Sequence, residues 1–433
     1  MNNSIIITFS MGIVLSFILC LVFNKFPKFK GNIYLILIVF IGLYLRLCYV
    51  FLTPTFYAPD EQSHYNYAKY LAENKELPIQ TSKTNEETND WEYYQPPLYY
   101  SLIAPIYVVI QPNNKKLDTY GTVLAMRLFS VVLWIMTIYF SYKTLQLFNF
   151  NNTFLETFVI SMLSLLPSYT YLSSMINNDN LLTCLGSIIL YLSFKEMNLK
   201  NTLLIGLFLG LAMLTKLSAV IFFIYFIISI IYNLFNKGIA SKQLAKYSIM
   251  IIIGFLIWLP IGLRNYNVYG SFTAENIANI PYHWESFTYA FYSTLLYIQK
   301  SFWAISGIHN NLSSIFPVFG MILFLASLIG FIYNVVNKGK NTFYSEKNKR
   351  IIQIFGITIL VHLILIFRFG LLFAQSQGRF LFPLLLPIAI IIGLGLLSIK
   401  FLNKEKSHIY MSYFFIAYSI SFAIYSLMKF DSH

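Results

Sequence analysis

The 433-residue sequence predicts an all-α, polytopic membrane protein of about twelve transmembrane helices. Three observations carry that reading. Hydrophobic residues make up 57% of the chain and charged residues 11%, whereas an average soluble chain is about half apolar and about a quarter charged. Apolar runs of roughly 17 to 25 residues, long enough to cross the hydrocarbon core as helices, recur from one end to the other. The basic residues behind the net charge of +13 cluster in alternate connections, which is a membrane-topology pattern and argues against a nucleic-acid partner.

The expected spans are 4–23, 31–52, 121–142, 153–174, 179–194, 201–215, 218–235, 245–263, 313–334, 350–369, 380–399 and 409–428. The shortest, 179–194 and 201–215, call for little tilt or for shielding by neighbours. The stretches 97–110 and 287–305 are apolar and aromatic but interrupted by Pro105 or Lys300, and are expected as re-entrant or interfacial helices. If Lys25, Lys28 and Lys30 are cytoplasmic, alternation puts Lys237, Lys242 and Lys246, then Lys338, Lys340, Lys347, Lys349 and Arg350, then Lys400, Lys404 and Lys406 on the same side. The other side receives two long loops, 53–120 and 264–312, most of the acidic residues, and both chain ends. The whole of 1–433 is expected to be one membrane domain with function concentrated in those outer loops, since long loops on an economical scaffold are usually functional.

The first span has no basic residue before it, three lysines after it and no small-residue cleavage pattern, so it is expected as an anchor helix and not a signal peptide. Cys20, Cys48 and Cys184 all fall in apolar spans and offer neither a disulfide framework nor zinc spacing. There is no repeat of fixed period and no inverted pair of interrupted helices, features that would point to a secondary transporter.

In the first outer loop, Asp60 to Ala72 has helical spacing, with Tyr65, Ala68, Leu71 and Ala72 on one face. Asp60 opens this helix and His64 follows one turn on, so both share a face that can point into a cleft. Asp60 equally suits an N-cap, and His64 a surface residue near lipid headgroups. As a divalent-metal site the pair offers two ligands, too few to assign one. Farther on, Trp91-Glu92-Tyr93-Tyr94-Gln95-Pro96-Pro97-Leu98-Tyr99-Tyr100 closes the loop. Its prolines fix an extended entry into the next helix, and its aromatics offer flat faces on which sugar rings can lie, or an interfacial belt.

Pro59-Asp60-Glu61 with His64, Tyr67-Ala68 and Leu71, followed by Tyr94-Gln95-Pro96-Pro97-Leu98-Tyr99-Tyr100, resembles the first outer loop of the GT-C glycosyltransferases, in the branch of protein O-mannosyltransferases and aminoarabinose transferases. Asn178-Asp179 at the start of a span, Ala212-Met213-Leu214-Thr215-Lys216 at the end of another, and Gly378-Arg379-Phe380-Leu381-Phe382-Pro383 are similar to the same branch. The resemblance implies an inverting transfer from a sugar on a polyprenyl phosphate, with Asp60 as general base and Glu61 beside it able to bind a hydroxyl. Aminoarabinose transferases carry Glu-Lys before the paired prolines, where this chain has Tyr94-Gln95, so the sugar and acceptor do not carry over.

Such a reaction needs a base, cations for the leaving phosphate and a dry groove for the lipid. Arg379 is the first candidate for the phosphate, then Arg264 and Lys216, because the topology puts each at an outer helix end; headgroup snorkelling is the alternative for Lys216 and Arg368. His64, Tyr94, Gln95, Asp179 and, in the second outer loop, His283 within Pro281-Tyr282-His283-Trp284-Glu285 are candidates for sugar or acceptor contacts, with Trp303 and His309-Asn310-Asn311 farther along. Arg46 and Arg127 lie inside spans and must face the bundle interior and find partners. Gly206 and Gly210 form a small-xxx-small pair that helix packing explains. High Asn, Lys and Ile content points to a prokaryotic plasma membrane and undecaprenyl phosphate as carrier. The rival readings are a lipid-linked oligosaccharide polymerase or ligase and, less well, a lipid or solute transporter, whose charges should sit near mid-bilayer.

Overall fold

The structure is a computed structural model that describes residues 33–81, 89–110, 119–148, 150, 152–236, 241–274, 277, 282–306, 315–336, 346–375, 377–399 and 406–430. The expected span 4–23, the basic segment 25–30, Cys20 and the His309-Asn310-Asn311 run lie outside these residues.

Everything regular among the described residues is helical. In chain order the helices are α1 (Ile33–Leu52), α2 (Glu61–Asn74), α3 (Leu98–Ile110), α4 (Thr119–Phe148), α5 (Thr153–Leu165), α6 (Pro167–Leu172), α7 (Asn178–Ser193) and α8 (Leu199–Met213). After a 3₁₀ turn (Leu217–Ala219) come α9 (Val220–Asn236), α10 (Ser241–Tyr269), α11 (Phe287–Trp303), α12 (Ile315–Val336) and α13 (Glu346–Phe373). A second 3₁₀ segment (Gly378–Leu384) leads into α14 (Leu385–Leu397), and α15 (Ser407–Phe430) follows.

Eight helices among the described residues are long and apolar enough to cross a membrane, fewer than the twelve spans expected. One of the four missing spans, 4–23, lies outside the described residues, and each of the other three has a physical cause. The expected span 153–174 is broken into α5 and α6 because Pro167 has no N–H to continue the ladder. The expected spans 179–194 and 201–215 form as α7 and α8, of 16 and 15 residues, too short to span alone. Helices α5 and α7 are buried almost all round, α5 among α1, α14 and α15, so their shortness is shielded by neighbours.

The break at Pro167 is lined by polar contacts. The helix pattern would have Pro167 donate to the Leu163 carbonyl; Trp134 Nε1 takes its place at 3.1 Å. Arg46 Nη1 donates to the neighbouring Ser164 carbonyl at 2.7 Å and to Gly42 at 2.9 Å, while its Nε reaches Ser173 Oγ at 2.8 Å. The Arg46 guanidinium also lies 3.9 Å from the Trp134 ring centre. Arg46 therefore faces the bundle interior as expected, and its partners are two carbonyls, a hydroxyl and an indole face. On α8, a Cβ at Gly206 would come within 2.8 Å of Ile253 and one at Gly210 within 2.5 Å of Ile257, so the small-residue pair does bring α8 onto α10.

The expected first-loop helix is present as α2, but its buried face is Glu61, Ser63, His64, Tyr65, Tyr67 and Ala68, packed against protein on α3, while Leu71 and Ala72 are only partly covered.

Trp134→Phe keeps the ring against Arg46 and removes the donor to Leu163, so it should cost about 1 kcal/mol in lipid-detergent unfolding. Arg46→Met, which frees two carbonyl partners and the stacked charge together, should cost more. Equal stability of Trp134→Phe and the parent protein would mean that the broken ladder is satisfied some other way.

Candidate functional site

Asp60 precedes α2 in the left-handed conformation, with φ 61° and ψ 3°, and its side chain makes no capping hydrogen bond. This corrects the N-cap expectation: the carboxylate turns away from the helix, and Oδ2 accepts from Arg379 Nη2 at 2.5 Å. Asp tolerates this backbone region better than most residues, yet it must be held there. What holds it is the next residue. Glu61 is fully buried and takes both arms of Arg127, Nε to Oε1 at 2.8 Å and Nη2 to Oε2 at 2.7 Å, and its Oε1 also accepts from the Ile176 amide at 3.2 Å. Arg127 spends its remaining donors on the carbonyls of Val50, Thr53 and Pro54, the end of α1 and the link to α2. Glu61 is therefore corrected from a binder of hydroxyls to a buried anchor, and Arg127, placed by sequence only as facing inward, is its partner.

Arg379 reaches Asp60 from the 3₁₀ segment Gly378–Leu384. A Cβ at Gly378 would sit 2.1 Å from the Phe302 amide nitrogen, so only glycine allows the segment to lie this close to α11. The Gly378 amide donates to Ser301 Oγ at 2.7 Å, and a ring nitrogen of the buried His362 lies 2.7 Å from the Phe380 carbonyl. The Arg379 backbone is thus gripped from both flanks. Asp179 stands in the first turn of α7, a position favoured by the helix dipole, with its amide bonded to Asn177 Oδ1 at 2.8 Å. Its Oδ1 accepts from Lys216 Nζ at 2.6 Å and its Oδ2 lies 3.9 Å from Arg379 Nε. Asp60, Arg379, Asp179 and Lys216, scattered over more than 300 residues of sequence, form one run of alternating charge.

His64 is buried, not at the surface: its Nδ1 lies 2.9 Å from Tyr100 Oη, its ring stacks on Tyr100, and Tyr100 stacks on Tyr67. Burial drives the imidazole down to about 3, so it is neutral at physiological pH. Burial alone would raise the Asp60 carboxyl, but the Arg379 and Lys216 cations override it and hold Asp60 below its ordinary value. Glu92 Oε2 lies 3.9 Å from His64 Nδ1. Burial, then the charge of Asp60, pushes the Glu92 carboxyl up to about 8. Glu92 was visible in the sequence only as a member of the aromatic loop run; no local pattern marks a loop carboxyl for burial.

The other sequence candidates fall elsewhere. Gln95 Nε2 donates to Tyr94 Oη at 2.9 Å and the Gln95 carbonyl accepts from Tyr67, so these two residues brace the loop. Arg264 donates to the carbonyls of Leu77 and Pro78 and fixes the loop after α2; it is corrected from a phosphate ligand to a loop clamp. His283 is exposed and contacts none of the cluster, while its neighbours Tyr282 and Trp284 bond to the carbonyls of Leu372 and Leu371.

Several buried polar atoms of the cluster have no hydrogen-bond partner among the described residues: Arg379 Nε and Nη1, Asp179 Oδ2, Asn178 Oδ1 and Glu92 Oε2. Unsatisfied groups at this density mark a place for a polar ligand or ordered water. Pro59, Leu172, Ser301, Ile305, Gln377 and Arg379 line a tight hollow at the guanidinium. Among the described residues no three His, Cys, Asp or Glu side chains come together as a metal site.

Residues 102–263 match the family model described as dolichyl-phosphate-mannose-protein mannosyltransferase, a stretch that contains Arg127, Asp179 and Lys216 but neither Asp60 nor Arg379. No curated protein matches the sequence at a significant level. Among solved structures, ArnT from Cupriavidus metallidurans in the apo state matches with 14% identity and a TM-score of 0.50, over 83% of this chain and 59% of that one. The same protein bound to undecaprenyl phosphate matches with 13% identity, the same coverage and a TM-score of 0.50. The apo oligosaccharyltransferase of Archaeoglobus fulgidus matches with 12% identity and a TM-score of 0.56, over 94% of this chain and 56% of that one. The chain shares the fold of these membrane proteins, and its middle part matches the mannosyltransferase family model. It spans less than two thirds of the length of these solved structures.

Arg127→Met strands the Glu61 carboxylate in the core and should cost about 3–5 kcal/mol in unfolding, with Glu61→Gln in the same chain recovering part of the loss. A mild effect of Arg127→Met would show that the pair does not anchor α2. The Asp60–Arg379 pair has its own signature. Because the folded Asp60 value is depressed, its contribution is complete above the unfolded value and fades only as pH falls through the folded one. The stability difference between the parent and Asp60→Asn should therefore be flat from neutral pH to about 4 and shrink below that; a difference that disappears already near pH 6 would contradict the pairing.

Proposed function

We propose that this GT-C membrane protein transfers a sugar from a polyprenyl-phosphate donor to a hydroxyl acceptor, with Asp60 as general base and Arg379 as the group that receives the leaving phosphate. The observation that carries the reading is the state of the Arg379 guanidinium: Nη2 is bonded to Asp60, while Nε and Nη1 are buried and without hydrogen-bond partners among the described residues. A charged guanidinium with two unused donors suits the oxygens of a phosphate, and the same residue then ties the base to the leaving group.

The acceptor oxygen loses its proton to the Asp60 carboxylate and forms the bond to the anomeric carbon. The bond from that carbon to the donor phosphate breaks, its electron pair stays on the phosphate oxygen facing Arg379, and the configuration inverts. Lys216, 2.6 Å from Asp179, adds positive charge beside Arg379. Asp179 Oδ2 and Asn178 Oδ1 are acceptors for sugar or acceptor hydroxyls. ArnT has been crystallised with undecaprenyl phosphate, which makes that carrier the first to test. The acceptor belongs to the classes of protein, wall polymer or glycolipid, and the reaction takes place at the outer face of a prokaryotic plasma membrane.

The test is turnover of radiolabelled polyprenyl-phosphate sugars by the purified protein in lipid. Asp60→Asn, which preserves shape, should lower turnover by about 10²-fold or more with donor binding retained, and Arg379→Ala should weaken donor binding. Asp60→Asn turning over donor as fast as the parent protein would remove Asp60 as the base.

A further inference from the structure

The cluster holds one carboxyl more than it has cations. Asp60 and Asp179 are matched by Arg379 and Lys216, while Glu61 is matched separately by Arg127. Glu92 is the carboxyl left over. Its Oε2 is buried without a hydrogen-bond partner among the described residues. The basic atom beside it, His64 Nδ1 at 3.9 Å, is already engaged with Tyr100 Oη at 2.9 Å. The groups that face it are Asp60 and His64 at the start of α2, Tyr100 on α3, Asp179 on α7, Lys216 after α8 and Arg379 on the 3₁₀ segment. A buried carboxylate oxygen with no donor costs far more than a neutral carboxylic acid at the same place.

We propose that Glu92 is held as a neutral carboxylic acid beside the donor-phosphate site, and that its ionisation sets the alkaline limit of phosphate binding. The second half rests on the donor reading given under Proposed function. With Glu92 neutral, the cluster of Asp60, Asp179, Arg379 and Lys216 sums to zero, and a bound phosphodiester brings it to a single negative charge. With Glu92 ionised, the same complex carries two uncompensated negative charges in a buried place. Binding of the phosphate and ionisation of Glu92 therefore oppose one another, and by linkage the donor holds the proton on Glu92 more tightly. The upward displacement of the carboxyl to about 8 by burial and by Asp60 agrees with this direction.

Two measurements on the full chain in lipid nanodiscs decide the matter. The first is infrared spectroscopy without ligand: the parent protein minus Glu92→Gln should show a carboxylic-acid C=O band at pH 7 that disappears as pH rises through about 8. Absence of the band at pH 7 overturns the proposal whatever the donor does. The second is the Kd of a polyprenyl phosphodiester sugar, whose own phosphate does not titrate in this range. For the parent protein it should be flat below pH 7 and approach about tenfold weakening per pH unit above 8, the limit for one proton. For Glu92→Gln it should not depend on pH. An alkaline loss that survives in Glu92→Gln overturns the link to Glu92. If the infrared band titrates but no donor binds at any pH, the neutral Glu92 stands and the donor reading falls.

Discussion

The site depends on one buried ion pair, Arg127 with Glu61. A charge inside a membrane bundle is tolerated only with a partner, and this pair completes itself with three carbonyls and an amide as well. Those bonds join the end of α1, the start of α2, α4 and the turn before α7. Geometry follows from that joint. With Glu61 locked below α2, the preceding residue is left in the left-handed region, and the Asp60 carboxylate points away from the helix amides it would otherwise cap. A pair of no direct use for chemistry is what makes Asp60 available to Arg379.

From Asp60 the electrostatics proceed by alternation. Each cation in the cluster faces a carboxylate, so the cluster tolerates burial, and the Arg379 and Lys216 cations keep the buried Asp60 carboxyl below its ordinary value where burial alone would raise it. The hydrogen bonding is incomplete by comparison: the charges are paired but several donors and acceptors are not satisfied. A structural ion-pair network tends to close on itself, as Arg127 does around Glu61. The contrast between a closed pair and an open one a residue away separates anchor from candidate site better than charge or burial does.

Much of this was legible in the sequence, and the reason differs by residue. Hydropathy and basic-loop alternation exposed the membrane class because the bilayer forces both. Lys216 and Arg379 stood out as charges at the ends of apolar runs, and Asp60 and Asp179 through the resemblance to a known family; the structure brings the four together. Hydropathy alone does not see that α5 stops at Pro167 or that α7 is short and shielded by its neighbours, so those two expected spans are shorter than drawn. Glu61 was misread and Glu92 passed over for one reason: both roles are set by long-range contacts, 66 residues away for Glu61 and across α2, α3 and α7 for Glu92. Arg264 is another such case: its Nη2 bonds the carbonyls of Leu77 and Pro78, which lie more than 180 residues away in sequence.

The four charges of the cluster sit at helix ends and none lies within a long helix: Asp60 before α2, Asp179 in the first turn of α7, Lys216 just past α8 and Arg379 on the 3₁₀ segment before α14. Helix ends are where backbone groups lack intrahelical partners and where the chain can leave hydrocarbon without cost. Short helices multiply such ends inside the bundle. The shortness of α7 and α8 brings an acidic start and a basic finish to the same place, as Lys216 on Asp179 records. The glycine pair that draws α8 onto α10 and the Gly378 approach to α11 then set how far those ends can drift. On this view the departures from full-length spans are not imperfections in a membrane bundle. They are how an apolar scaffold brings the four charges of this cluster together at helix ends, with Arg127 inside α4 matched by the buried Glu61.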